Sequence, residues 1–278
     1  MSDDQKQIES DERLAEQLSR DEEILYEGTN KQNEEIEAEV KQTQPLVSKK
    51  EPISALVSVY DAQNSAEYFQ KAKDLCSYYE SLRRIRGDGN CFYRSILFAQ
   101  LEAILKDVDE RKRFTQICKG WRQRLLKLGF PEFTTNDFCD WFDELLDDIN
   151  NGKVTEESLF ASLNDDGTSN YYVIFFRLIT SGYLRENAEM FEGFVEGGRT
   201  VEQFCKEEIE PMWKDCDHLA IISLTSAIEV SIRIEYMNRS AAPEGGYHHD
   251  FISHNIPPRL YFLYRPEHYD ILYIRNKC

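Results

Sequence analysis

A cysteine that follows a run of turn-forming residues and opens an apolar stretch is placed for chemistry. In this 278-residue chain the run is Gly87-Asp88-Gly89-Asn90-Cys91, and the stretch from Phe92 to Lys106 has helical character. Free backbone N–H groups at a helix start, with its partial positive charge, favour thiolate over thiol. The same groups can hold an oxyanion. A thiol nucleophile also needs a base and a group that orients the base. His268 has a carboxylate, Asp270, at strand spacing. A period of two puts both on one face, with Tyr269 on the other. Asp270 can then accept one imidazole N–H and leave the second nitrogen for a thiol.

Each signal taken alone has an ordinary explanation. A cysteine at a helix start is more often structural, and a His-x-Asp in a strand is more often a satisfied polar pair. Spacing does not show that the two motifs meet across the 177 residues between Cys91 and His268. The candidate metal ligands are Cys216 with His218, and His248 and His249 with His254. Neither group has the paired cysteine spacing of structural zinc, and the 248–254 histidines read as solvated loop residues.

The elements that must position these residues fall into two classes. Helical periodicity covers 62–80 (Tyr68, Ala72, Leu75, Tyr79), 109–128, 137–150, 156–163 and Tyr171 to Ile179. Thr200-x-x-Gln203 resembles a capping box. His218 to Ile228 is a further apolar helix, after which Val230, Ile232 and Ile234 alternate with polar residues as in a strand. Residues 238–258 read as a polar loop. Leu260–Tyr264 and His268–Ile274 form a predicted antiparallel hairpin turned at Arg265-Pro266-Glu267. Helices first and a terminal sheet later indicate an α+β domain.

Net charge is −18, and the first 44 residues carry half of it, with 14 acidic and 5 basic side chains. Only 11 of those 44 are hydrophobic, too few to offset chain entropy, so residues 1–44 read as a mobile acidic arm on a domain spanning 45–278. Leu14, Leu18 and Leu25 suggest one conditional helix there, and Glu34, Ile36 and Val40 a second. The acidity argues against nucleic acid and anionic membrane and for a partner with a basic surface. No apolar run is long enough to span a membrane, Met1-Ser2-Asp3-Asp4 opens no signal peptide, and the C terminus is no prenylation box. Seven cysteines with no C-x-x-C pair read as reduced thiols in the cytosol or nucleus, six of them as buried small hydrophobes.

Asp88-Gly89-Asn90-Cys91-Phe92-Tyr93-Arg94 resembles the nucleophile motif of OTU-type cysteine deubiquitinases. The string from Tyr264 to Tyr273 resembles the histidine motif of the otubains among them. Otubain-like strings recur at Glu132-Phe133-Thr134, at Leu178 to Leu184 and at Glu196 to Val201. The acidic extension is similar to that of the longer-armed otubains.

The resemblance implies a papain-like core, a central mostly antiparallel sheet flanked by helices, in a monomer that uses no metal or cofactor. It implies that Cys91 attacks an isopeptide carbonyl at the ubiquitin C terminus, His268 moves the proton and Asp270 orients His268. Asp88 and the loop amides, from Gly89, Asn90 and Cys91, would form the oxyanion hole. Chains linked through lysine forty-eight of ubiquitin would be preferred, with residues 20–44 positioning the proximal ubiquitin. The resemblance also implies binding and inhibition of ubiquitin-conjugating enzymes, with Phe133, Thr134 and Pro266 as contacts. Phe191 and Phe194 would meet ubiquitin, or would be packing residues. A binding regulator with little hydrolysis is the alternative. Glu267 stands in the turn where a glycine is expected.

Overall fold

In the computed structural model the described residues are 39–40, 42–238 and 247–275. The chain divides into two units, Met1–Gln44 and Pro45–Cys278, and the architecture below is that of the second. The first conditional helix lies outside the described residues, as does most of the second, of which Glu39 and Val40 are helical.

The sheet runs β1 (Glu51–Pro52), β2 (Tyr79–Arg83), β6 (His268–Ile274), β5 (Leu260–Arg265), β3 (Ile232–Tyr236) and β4 (His248–Phe251). All neighbours are antiparallel except β3 and β5. The expected hairpin is present, with Arg265 opposite His268 and Leu263 opposite Asp270. Helix α1 (Ala66–Tyr78) covers one face through Ala72 and Leu75 against Leu82, Leu263 and Leu272. The larger core on the other face holds α2 (Cys91–Lys106), α3 (Val108–Lys127), α4 (Glu132–Asn150), α5 (Glu156–Ser162), α6 (Asp166–Glu186) and α7 (His218–Ala227).

Helix α2 is buried without interruption from Cys91 to Glu102, which fits apolar residues on every side, and its buried polar side chains are partnered, Arg94 by Asp88, Gln100 by Glu110 and Glu102 by Arg83. Being central, it fixes the position of its own first residue. Asp107, Asp165 and Asp217 cap α3, α6 and α7 by accepting from N–H groups three residues on. The Thr200–Gln203 capping box is reciprocal but opens only a four-residue helix that runs into a π-turn at Cys205–Ile209.

Four expectations about elements are corrected. Residues 238–258 contain β4, whose side chains give no apolar alternation; it pairs with β3 through the backbone and through Arg233–Asp250. The 62–80 helix ends at Tyr78, because Tyr79 turns into the sheet and donates its hydroxyl to Glu235 at 2.7 Å. Helix α4 begins at Glu132, five residues before its apolar pattern starts. Helix α6 extends beyond Tyr171–Ile179 at both ends, since Asp165 caps it early and Leu184 keeps it in the core.

Candidate active site

Cys91 is the first residue of α2 and is buried, with a relative exposure of 4%. Asn90 precedes it as N-cap but gives no side-chain cap. Among the described residues no hydrogen bond engages the N–H groups of Gly89 and Cys91. The helix start is therefore uncapped where a negative charge would sit. Gly89 has φ +70°, and a Cβ there would lie 2.4 Å from the carbonyl oxygen of Trp213. Only glycine meets both demands.

The loop is braced from beneath by two buried guanidiniums. Asp88 accepts the Asn90 N–H on Oδ1 at 3.0 Å and pairs through Oδ2 with Arg94 at 2.6 Å. Asn90 Oδ1 accepts from Arg177 Nη2 at 2.8 Å, Arg177 Nε at 3.2 Å and the Trp213 N–H at 3.2 Å. The Asn90 N–H is held by the Asp88 carboxylate and the Asp88 N–H reaches the Arg86 carbonyl at 3.1 Å, which leaves the N–H groups of Gly89 and Cys91 open toward an oxyanion.

His268 meets the cysteine from the hairpin. Its Nε2 lies 2.9 Å from Asp270 Oδ1, and Cys91 is the other group that raises the imidazole. With Nε2 committed, Nδ1 is the nitrogen left for sulfur. A Cβ on Gly87 would sit 3.4 Å from Nδ1, so the glycine lets the imidazole lie close to the loop. Asp270 is fully buried and accepts the Ile85 N–H at 2.9 Å and Arg265 Nη2 at 2.6 Å. Burial would raise its carboxyl, but His268, Arg265 and the Ile85 N–H hold it below the usual range. Burial would likewise lower the His268 imidazole, and the hydrogen bonds and charges of Asp270 and Cys91 reverse this, raising it to about 9. This is the arrangement of a base, its orienter and a thiol.

Other groups separate from this set. His248 and Asp250 share the His-x-Asp spacing on β4, but Asp250 is bound to Arg233 at 2.7 and 2.8 Å. Burial pushes the Cys118 and Cys216 thiols well up, and those of Cys139 and Cys205 to about 11. Cys76 and Cys216 are only half-buried, each at the edge of a core cluster that its side chain packs against, and Cys278 lies outside the described residues. The His218 and His249 rings approach to 5.7 Å, yet among the described residues no group of three or more His, Cys, Asp or Glu could hold a metal.

The outlying candidates divide. Phe133 is 86% exposed near the start of α4, and Thr134 beside it donates its hydroxyl to the Pro131 carbonyl. Pro266 is exposed in the hairpin turn. Phe194 is exposed, whereas Phe191 is buried with Leu184, Val201 and Phe204 and is a packing residue. Arg94 and Arg177 were not singled out from sequence. Their signal is an arginine set among large apolar residues within a helix, Tyr93-Arg94-Ser95-Ile96 and Phe176-Arg177-Leu178.

Residues 39–274 match the family described as Peptidase C65 Otubain. The ubiquitin thioesterase otubain-like of Caenorhabditis elegans is 46% identical over 278 residues, 99% of this chain and 97% of the relative. Human ubiquitin thioesterase OTUB1 is 42% identical over 270 residues, 97% of this chain and 96% of the relative. A solved complex of h/ceOTUB1 with ubiquitin aldehyde and UBC13~Ub superposes with a TM-score of 0.87 at 47% identity, covering 90% of this chain and 98% of that one. The chain belongs to the otubain family, peptidase family C65.

Proposed function

We propose that this protein is a ubiquitin thiol isopeptidase. The observation that carries this is Cys91 at an uncapped helix start beside an imidazole, His268, that is held by Asp270 and raised by Cys91. The thiolate of Cys91 adds to the carbonyl joining the ubiquitin C terminus to a lysine side chain. The oxyanion formed is held by the Cys91 and Gly89 N–H groups. His268 gives its proton to the departing lysine amine, leaving an acyl thioester on Cys91. Water, deprotonated by His268, then attacks the thioester and releases the ubiquitin carboxylate, returning the thiol. Asp270 keeps the imidazole oriented throughout. Selectivity for lysine-forty-eight-linked chains is the finer part of the proposal and rests on the similarity to longer-armed otubains.

Cleavage of a panel of di-ubiquitins of defined linkage tests both parts. The lysine-forty-eight dimer is expected to be cut, and Cys91→Ser to be inert. No cleavage of any dimer by the wild type would sink the enzyme reading. Equal cleavage of all would sink only the linkage preference.

A second activity, binding and slowing ubiquitin-conjugating enzymes, is supported by the exposure of Phe133 and by relatives solved with UBC13~Ub and UBCH5B~Ub. Cys91→Ser should still slow ubiquitin transfer by such an enzyme, and Phe133→Ala should not. Equal slowing by wild type and Phe133→Ala would remove Phe133 from the contact.

A further inference from the structure

Arg177 on α6 is 1% exposed, and all its polar partners are carbonyl oxygens. Nε and Nη2 reach Asn90 Oδ1, and Nη2 also reaches the Gly89 carbonyl at 2.9 Å. Nη1 donates to the Ile209 carbonyl at 2.9 Å and Nη2 to that of Lys214 at 2.7 Å. The guanidinium stacks on the Tyr93 ring, 4.3 Å from its centroid. Among the described residues no carboxylate forms an ion pair with it.

A buried charge with no carboxylate in ion-pair contact, only Asp88 and Asp215 acting on it through space, is costly, and a neutral side chain would fill this space at less cost. What a neutral side chain lacks is five N–H donors fixed in one plane. Here the plane spans two segments that are distant in sequence. One is the Gly89–Asn90 loop in front of Cys91. The other is Ile209–Lys214, whose Trp213 has φ 68° and presses its carbonyl on Gly89 while its N–H reaches Asn90.

We propose that Arg177 is a positioning residue for hydrolysis: its guanidinium holds the Gly89–Asn90 loop against the Ile209–Lys214 segment, setting where Cys91 and the oxyanion donors stand. The proposal rests on the reading of Cys91 as nucleophile. A misplacement of about 1 Å at such a site costs on the order of 10²-fold in rate.

Full-length Arg177→Lys, Asn90→Ala and the double variant, assayed on ubiquitin bearing a C-terminal fluorophore, test it. Arg177→Lys keeps the charge and loses the fork. Each single variant is expected to lower kcat on the order of 10²-fold with KM within about two-fold. The double variant should be no worse than the worse single, because both cut the same link. A purely structural arginine would lower Tm and leave kcat per folded molecule unchanged, which overturns the proposal, as does full additivity. Should Arg177→Lys fail to fold, Asn90→Ala decides alone, and wild-type kcat in that variant overturns it.

A second readout needs no ubiquitin. Iodoacetamide alkylation of Cys91 at pH 7, followed by peptide mass spectrometry, should slow about 10-fold in both single variants as the contact with His268 loosens. Unchanged alkylation overturns the role of Arg177. A wild type that releases no fluorophore and cuts no di-ubiquitin sinks the isopeptidase reading instead, and the alkylation result still judges Arg177.

Discussion

Burial by itself would strip the proton from His268, yet the imidazole keeps it to about 9 because Asp270 and Cys91 outweigh the loss of water. For a thiolate–imidazolium pair, activity needs that proton, so kcat/KM should fall along an alkaline limb near 9. Asp270→Asn removes the charge that holds the proton. The limb should then move down toward the ordinary imidazole value of about 6.5, and kcat/KM at pH 7.5 should drop on the order of 10²-fold. An unmoved limb would mean that the imidazole owes its proton to another group. The same shift ties folding to pH. The folded value exceeds the unfolded one, so the stabilisation is fully present below about 6.5 and is lost as pH rises through the folded value. Asp270→Asn should flatten that dependence in denaturant titrations. Cys91, His268 and Asp270 were legible in sequence as candidates because turn chemistry and a period of two are local signals, while the otubain resemblance was what joined them across the chain. Arg177 was not, since its partners come from segments far along the chain, nor was Arg94, whose nearby partner Asp88 becomes a brace only once the loop folds back on the helix.

Two turns position the site, and their backbone strain has opposite signs for mutation. Gly89 is at φ +70° with Trp213 against it, so Gly89→Ala must push backbone against backbone. A loss of about 1–3 kcal/mol in unfolding free energy is expected, with hydrolysis abolished because the displaced atoms belong to the loop before Cys91. Glu267 is at φ 61° in the β5–β6 turn, where the sequence led one to expect glycine. A left-handed non-glycine residue costs about 1–2 kcal/mol, part of which Glu267→Gly regains against added chain entropy. Its Tm should rise by about 2–4 °C per kcal/mol regained, measured by calorimetry, and a fall would show that the glutamate side chain stabilises the turn. The hairpin itself was readable, because Leu260–Tyr264 and His268–Ile274 are β-rich on either side of a Pro-containing turn. Strand β4 was not, because an edge strand held by backbone pairing and Arg233–Asp250 needs no apolar stripe. Helix α4 was read late because its first turn carries the exposed Phe133 instead of a core residue.

Charge is distributed over the whole molecule unevenly, and that asymmetry makes a prediction about partners. The chain carries −18; with 14 acidic and 5 basic side chains in residues 1–44, the arm accounts for −9 and the remainder for −9. An acidic arm with few apolar residues acts on a partner chiefly through its field, which at physiological salt reaches about 8 Å. Removing residues 1–44 should therefore leave hydrolysis of a ubiquitin–fluorophore unchanged, since Cys91, His268 and Asp270 and their braces all lie beyond residue 45. It should erase the preference among di-ubiquitin linkages and relieve the slowing of a ubiquitin-conjugating enzyme. Raising the salt should weaken that slowing in the full-length protein, reproducing part of the deletion. If the deleted protein slows transfer as well as the full chain does, at low salt and at high, the arm has no part in the contact. The exposed face around Phe133 must then account for all of it.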